Sequence, residues 1–397
     1  MKEKIVLAFS GGLDTSFCVP YLINEKNLEV HTVMVNTGGF TIDEAKKIEE
    51  RALHLGSKTH TTINAVETYY NKGIKYLIFG NILKNSTYPL SVSSERVFQA
   101  LEVLEHVKKI GAKYVAHGST GAGNDQVRFD LVFEVLAPQV KIIAPIRELQ
   151  LSRKEEIDYL IKYGFNFSWE KSKYSINQGI WGTSIGGVET LLSQGYLPEE
   201  AYPHQVTKRG EEKVSIGFEK GEPTMLNGKK MSPIQLIKEL AIIANPYGIG
   251  RDIHIGDTII GIKGRVGFEA AAPLIIIKAH HLLEKHVLVK GQLYWKESIA
   301  NYYGQLMHEA QYLDPTMRDM EAFLESTQKN VTGEVKILLR PYSFFVLGCN
   351  SNYDLMNSKF GEYGEINKSY TGRDVVGFTK VLANPLKIYY SLHNNDK

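Results

Sequence analysis

Residues Ala8-Phe9-Ser10-Gly11-Gly12-Leu13-Asp14-Thr15-Ser16 constrain this chain more than any other stretch. They follow a short apolar run, Ile5-Val6-Leu7-Ala8, and precede a helical pattern, Phe17-Cys18-Val19 to Tyr21-Leu22-Ile23. A strand, a Gly-Gly turn bearing hydroxyls and a helix start together form a device for holding phosphate. The glycines let the backbone approach an anion, successive N–H groups can point inward as a nest, and the helix N-terminus adds partial positive charge. Ser10, Thr15 and Ser16 add hydroxyl donors, and Asp14 could orient a metal ion or a nearby N–H. The plainer reading is a tight strand-to-helix turn that needs glycine only for its dihedral angles. The whole stretch, placed on the first strand of the first unit, favours a nucleotide.

No Gly-Lys-Ser/Thr follows, so the loop is not a Walker A, and it lacks the dinucleotide pattern G-x-G-x-x-G. It resembles the pyrophosphate loop of the adenylating PP-loop ATPases, which cut ATP between the α and β phosphates. That resemblance implies ATP and leaves the second substrate open.

Composition narrows the partners. With 46 Lys and Arg against 44 Asp and Glu, the net charge is +2 and no basic block stands out, so no nucleic-acid partner is expected. The 397 residues suffice for two domains with a generous core. The two cysteines, Cys18 and Cys349, cannot build a disulfide framework or a zinc site by themselves, and both read as buried apolar fillers. The longest apolar run, near Ala270 to Ile277, contains Pro273 and is too short to cross a bilayer, so no membrane association is expected. The chain enters a strand directly after Met1-Lys2-Glu3-Lys4, which leaves no room for a signal peptide and makes the reducing cytoplasm the expected compartment.

Along the first part, strands alternate with helices. Leu28 to Val35 is β-rich and ends in the turn Asn36-Thr37-Gly38-Gly39. Ile42 to Leu55 places Ala45, Ile48, Ala52 and Leu55 on one helical face, closed by Gly56. A strand near Lys58 to Ile63, a helix marked by Val97, Leu101, Leu104 and Val107, and strands at Tyr114–Ala116 and Lys141–Ala144 follow. Ser152-Arg153-Lys154-Glu155 is a capping box opening a helix to Tyr163. This order predicts an α/β fold whose N-terminal part is a parallel sheet covered on both faces. Ligands of such sheets bind beyond the carboxyl ends of the strands, so the Ser10–Ser16 and His117–Gly123 loops should share one crevice. Beyond about residue 170 the pattern changes to mixed strands, turns and longer helices. The segment Asp374 to Leu392 is amphipathic, but Asn384-Pro385 predicts a break or kink within it.

A second dense constellation runs from Ala116-His117-Gly118-Ser119-Thr120 through Gly121-Ala122-Gly123 to Asn124-Asp125-Gln126-Val127-Arg128-Phe129. Gly118, Gly121 and Gly123 permit close backbone approach. Asn124 or Asp125 can cap the following helix, and Arg128, about one turn inside, can offer a bidentate fork to a carboxylate. Taken singly, these residues read equally well as caps and a solvated arginine. As a group beside a phosphate loop they favour a small amphoteric substrate.

The two stretches together resemble the argininosuccinate synthase family, and the similarity continues over nearly the whole chain. Val140-Lys141-Ile142-Ile143-Ala144-Pro145-Ile146-Arg147-Glu148 is similar to the family's "VIAPWRE" segment, with Ile146 in place of Trp. Lys173-Tyr174-Ser175 with Thr183-Ser184, Asn227-Gly228-Lys229-Lys230-Met231-Ser232-Pro233, Gly248-Ile249-Gly250-Arg251 and Val331-Thr332-Gly333 fall in family order. The resemblance implies an ATP-binding PP-loop domain over 1–170, a second α+β synthetase and multimerisation domain over 171–365, and a helical oligomerisation arm over 366–397 of a homotetramer. Ala8 to Ser16 and the backbone of Gly118 would hold ATP, with Val35 toward adenosine. Thr120, Asn124 and Asp125 would hold aspartate. Tyr88, Ser93, Asn124, Arg128, Ser175 and Ser184 would hold citrulline. Asp14, through Mg²⁺, and Asp125, at the incoming amine, are the catalytic candidates; no dedicated protein metal site is expected.

The implied reaction is adenylation of the ureido oxygen of citrulline followed by displacement of AMP by aspartate. Two departures qualify it. Where the family usually carries a glutamate and a tyrosine toward citrulline, this chain has Gly256 and Phe268, with Asp257 adjacent. The lost carboxylate raises the expectation of a divergent pocket that accepts an N-acylated citrulline. The family's acidic turn after the second strand is also replaced by Val35-Asn36-Thr37-Gly38-Gly39. Another PP-loop adenylating enzyme, such as a tRNA-modifying one, and a non-catalytic nucleotide-binding protein are the rival readings. The first predicts basic patches and catalytic cysteines; the altered pocket motivates the second.

Overall fold

The alternation of apolar residues in the first strand settles how the sheet is covered. In β1 (Lys4–Ala8) Ile5 and Leu7 enter one buried cluster and Val6 the other, as the two-residue period of a strand requires. β1 pairs in parallel with β2 (Glu29–Asn36) on one side and β4 (Tyr114–Ala116) on the other. β3 (Thr59–Asn64) extends the β2 edge and β5 (Lys141–Ile143) the β4 edge, both in parallel. The order is therefore β3-β2-β1-β4-β5, an open sheet whose direction of winding reverses between β1 and β4. Helix α1 (Leu13–Asn24), carrying Phe17, Cys18 and Leu22, packs with Leu160 of helix Arg153–Lys162 on the face of Ile5 and Leu7. Helix Glu95–Ile110 buries Val97, Phe98 and Val103 in the cluster that contains Val6, Val33 and Val115. The structure is a computed structural model that describes residues 2–167, 173–356 and 369–393.

Local chemistry sets the element ends. Helix α2 (Ile42–His54) starts at a capping box in which Thr41 accepts from the Glu44 N–H and Glu44 bonds back to Thr41. Ser152 and Glu155 do the same for helix Arg153–Lys162. Helix Glu95–Ile110 stops where Gly111 turns left-handed at φ +63°.

The later strands form two antiparallel sheets among the described residues. One joins β6 (Ser175–Gly179), β7 (Gly182–Gly186), β11 (Arg251–Asp257) and β12 (Lys263–Glu269) in the order β11-β12-β7-β6. The other joins β8 (Glu212–Glu219), β9 (Glu222–Leu226), β10 (Lys229–Lys230), β13 (Gly333–Arg340) and β14 (Ser343–Asn350) in the order β10-β9-β8-β13-β14. One cluster of buried side chains runs from Val33, Val97 and Val132 of the first part to Ile216, Leu240, Ile276 and Tyr303 of the second. The expected boundaries near residues 170 and 365 fall at 168–172 and 357–368, outside the described residues.

Two compact units are distinguished, Met1–Ser351 and Asn352–Lys397. In the second, a single helix Gly372–His393 carries Pro385 in its interior, so the predicted break does not occur. Cys18 is fully buried as expected, but Cys349 on β14 is only half-buried, because that strand lies at the edge of its sheet.

The first sheet meets the β11-β12-β7-β6 sheet through a backbone contact. The N–H of Ile180 donates to the Thr37 carbonyl at 3.0 Å, and a methyl group built on Gly39 would lie 1.8 Å from the Gln178 carbonyl oxygen. No rotamer relieves a clash with backbone. Gly39→Ala is expected to lower stability by about 3 kcal/mol, the upper range for overpacking, as a reduced urea midpoint with an unchanged slope.

Candidate active site

The three loops at the carboxyl ends of β1, β2 and β4 converge. Gly11 has φ +76°, a left-handed conformation that only glycine adopts cheaply, and it swings the chain over Ile48 before α1 begins. The Arg51 guanidinium donates to the Gly11 carbonyl and braces the outside of the turn. Within it, Ser10 Oγ lies 3.2 Å from Thr15 Oγ1 and 3.4 Å from the Gly12 N–H. Phe9 and Leu13 are buried in the core, and Val35 is buried within β2, so only their backbones could face a ligand. Ser16 is fully buried and its hydroxyl has no hydrogen-bond partner.

The predicted meeting of the two glycine-bearing loops is found. A Cβ on Gly118 would stand 2.9 Å from Thr15 Cγ2 and 3.3 Å from the Thr15 N–H. Below Gly118 the loop is held by an internal frame. His117 Nε2 lies 2.8 Å from Asp130, which also accepts from Arg147, and Gln126 donates to the carbonyls of Gly121 and Gly123. Thr120 stands exposed at its tip.

Asp14, the second residue of α1, lies beside Glu156 of helix Arg153–Lys162. Burial raises the Asp14 carboxyl above its ordinary value, opposed by its own backbone N–H and by Arg153. Burial, reinforced by the charge of Asp14, lifts Glu156 to about 8. Burial and the neighbouring Asp14 charge thus favour the protonated form of Glu156 at neutral pH. Among the described residues no group of three or more His, Cys, Asp or Glu is arranged to hold a metal ion. A magnesium ion would fit here on phosphate oxygens, with Asp14 the carboxylate in the first turn of α1.

The substrate candidates are linked through a closed circuit of contacts. Arg96 donates to Asp125 at 3.0 Å and to Asn177 on β6 at 3.1 Å. Asn177 pairs with Ser184 on β7, and Ser184 with Phe268 on β12. The Phe268 ring lies 5.3 Å from Tyr88, Tyr88 stacks 5.1 Å from His254, and His254 stands 6.2 Å from His308. The Arg128 Nε and Nη2 donate to the His308 carbonyl at 3.1 and 3.0 Å, and its Nη1 returns to Asp125 at 2.7 Å. Burial pushes the Asp125 carboxyl up, but the guanidinium groups of Arg96 and Arg128 outweigh it and hold it well below the usual range. Burial conversely lifts Glu95, beside Arg96, to about 7.

Tyr88, Asp125, Arg128 and Ser184 thus meet in one place, and three expectations are corrected. Neither Asn124 nor Asp125 caps its helix through its side chain: Asn124 Oδ1 accepts from the Ile259 N–H at 2.9 Å, and Asp125 faces the two arginines. Arg128 is buried, with its fork turned to a backbone carbonyl of the second half. Asp257 is no substitute carboxylate for position 256, since it pairs with Lys263 at 2.6 Å on an exposed hairpin. Ser93 is buried without a partner for its hydroxyl, and Ser175 is exposed on the edge strand β6. Thr37, whose role the altered turn left open, donates to Glu95 at 2.8 Å. Sequence reading gave no role to Glu95, Arg96, His254 or His308. Arg96 opens a helix after Ser93-Ser94, a signal that could have found it, whereas the histidines carry none.

A parallel sheet with a glycine turn at its reversal point, facing a second glycine-bearing loop, defines a nucleotide-binding α/β protein with an amphoteric site beside the nucleotide loop. Comparison with known proteins gives the particular family. Residues 4–166 match the argininosuccinate synthase N-terminal HUP domain, and residues 174–389 match the argininosuccinate synthase C-terminal domain. The chain is 39% identical to the argininosuccinate synthase of Methanocaldococcus jannaschii over 386 residues, 96% of each chain. It is 38% identical to that of Dictyoglomus thermophilum over 385 residues, 96% of each, and 36% to that of Xanthomonas campestris over 399 residues, 98% of each. The chain belongs to the argininosuccinate synthase family.

Two measurements test this geometry. Gly118→Ala would wedge Thr15 outward and is expected to raise the KM for ATP about tenfold, ~1.4 kcal/mol, with the fold retained by circular dichroism. For Glu156, a folded-state pKa raised above the unfolded value favours folding fully at pH 4, and that contribution is lost as pH rises through about 8. The melting temperature should fall over this window, and Glu156→Gln should flatten the fall.

Proposed function

We propose that this chain is a carbon–nitrogen ligase that joins citrulline to aspartate with cleavage of ATP to AMP and pyrophosphate. The contact of Gly118 with Thr15 is the observation that carries this reading, because it sets the nucleotide loop against the loop bearing Asp125. The family relationship over nearly the whole chain supports it. A ureido carbon is a poor electrophile until its oxygen becomes a leaving group. The ureido oxygen therefore attacks the α phosphorus, the α–β anhydride bond breaks and pyrophosphate leaves. The aspartate amine then adds to the ureido carbon of the adenylate, AMP departs with the original ureido oxygen, and the proton lost by nitrogen passes to solvent or phosphate.

In this reading the backbone from Ala8 to Ser16, with Gly118, cradles the phosphates and Val35 lies toward adenosine. Magnesium, when bound with ATP, neutralises developing charge on pyrophosphate. Thr120, Asn124 and Asp125 receive aspartate; Tyr88, Ser93, Asn124, Arg128, Ser175 and Ser184 receive citrulline. A carboxylate held as far down as Asp125 is a weak base. Its part is to orient the incoming amine and to fix Arg96 and Arg128, and catalysis rests mainly on positioning. Asp14 would be the carboxylate nearest the metal ion that accompanies the nucleotide.

The proposed working form is a cytoplasmic homotetramer, divided into an ATP-binding part at 1–170, a synthetase part at 171–365 and an arm at 366–397. Helix Gly372–His393 has no buried residue, and leaves Phe378, Val381, Leu382 and Leu386 more than half exposed, as an arm that covers another subunit would. Among the described residues no helix is long and apolar enough to cross a membrane.

Citrulline labelled with ¹⁸O in the ureido group should yield ¹⁸O in AMP and none in pyrophosphate, read by mass spectrometry. Label retained in the condensed product would rule the adenylate out. Removal of residues 369–397 should lower the mass measured by light scattering below that of four chains.

A further inference from the structure

Opposite Asp125 the wall of the circuit is made of imidazoles. His254 on β11 is 5% exposed, and His308, the last residue of helix Lys290–His308, 6%. Their rings stand nearly perpendicular, at 70°, and the Nδ1 of each is buried with no hydrogen-bond partner. Gly256 makes room for this arrangement. A Cβ there would lie 2.8 Å from His254 Nε2, so the imidazole reaches into the space where a side chain at 256 would begin.

The charges around the pair decide what they can receive. Burial, with the charge of Lys84, lowers His254 to about 4. Burial, with Arg128 and Lys84, lowers His308 to about 3. Both rings are therefore neutral at physiological pH, each offering one donor and one acceptor nitrogen. The carboxylates nearby are already engaged: Asp125 by two arginines, Asp257 by Lys263, and Glu309 by Gln305. The cations are answered too, Arg128 by Asp125 and Lys84 by the charges of Glu309 and Asp257, so the wall itself offers an ammonium group two neutral rings and no carboxylate. An amide, with its own N–H and C=O, matches two neutral imidazoles whose Nδ1 atoms lack partners.

We propose that His254 and His308 are specificity-determining residues that receive the α-nitrogen of the ureido substrate as an amide, so that the preferred substrate class is an Nα-acylated citrulline. This rests on the reading that the circuit is the ureido site. Free citrulline is then turned over less efficiently, because its ammonium must be desolvated against two neutral imidazoles with no carboxylate to pair with.

The test compares citrulline, Nα-acetylcitrulline and Nα-succinylcitrulline with the full chain, following aspartate-dependent release of pyrophosphate from ATP. An acylated substrate should show a kcat/KM at least tenfold above that of citrulline. His254→Ala should raise the KM for that substrate about tenfold with the KM for ATP unchanged, and His254→Gln, which keeps a donor and an acceptor, should recover part of the loss. Citrulline turned over as well as or better than both acylated forms overturns the amide assignment and leaves the ligase reaction standing. Turnover of none of the three overturns both. The comparison of substrates uses the unaltered chain, so it stands even where a variant fails to fold.

Discussion

The pairing of β1 with β4 is the constraint on which the rest depends. Five residues of β1 lie beside β2 and three beside β4, so strands distant in sequence end next to one another. Their following loops have nowhere to go but toward each other, and they meet at Thr15 and Gly118 with no space for a methyl group between. Because the sheet winds in opposite directions on either side of this seam, no helix crosses the gap among the described residues. The same seam sets the loop that leads into the helix beginning at Asp125 against the Ser10–Ser16 loop.

Around the second loop the structure balances charge tightly. Asp125 stays ionised against burial because two guanidinium groups hold it, and each of those is fixed elsewhere, Arg96 by Asn177 and Arg128 by the His308 carbonyl. Glu95 adds a buried carboxyl that gains or loses a proton near neutrality, with Thr37 as donor. Removing Asp125 would leave Arg128 and Arg96 with uncompensated charge in a largely buried place, which is costlier than the pair itself is stabilising. The site is thus rigid for electrostatic as much as steric reasons.

What could be read from the chain beforehand follows the range of the interaction. The reciprocal cap at Ser152–Glu155 is local and was read from the chain; the cap at Thr41–Glu44 and the period-two burial of Ile5, Val6 and Leu7 went unread although they are equally local. The meeting of the two glycine-bearing loops was read as well, because topology alone dictates it. The partner of Arg128 lies 180 residues away on another helix, and Asn124 finds Ile259 at a separation of 135; no local pattern encodes either. His254 alternates with Gly256 on a strand like any inward-facing pair, so only the fold shows its ring beside Tyr88 and His308.

The shared cluster of buried side chains has a consequence for how the molecule comes apart. Val97 and Val132 from the nucleotide side lie in the same apolar mass as Ile216, Leu240 and Ile276. Excising either portion would strip cover from the other. Cooperative melting as one transition is what such continuity produces, and a nucleotide loop transplanted without its companion would lose the floor beneath it. Inheritance of the two portions as an inseparable pair is then a matter of solvation as well as of chemistry.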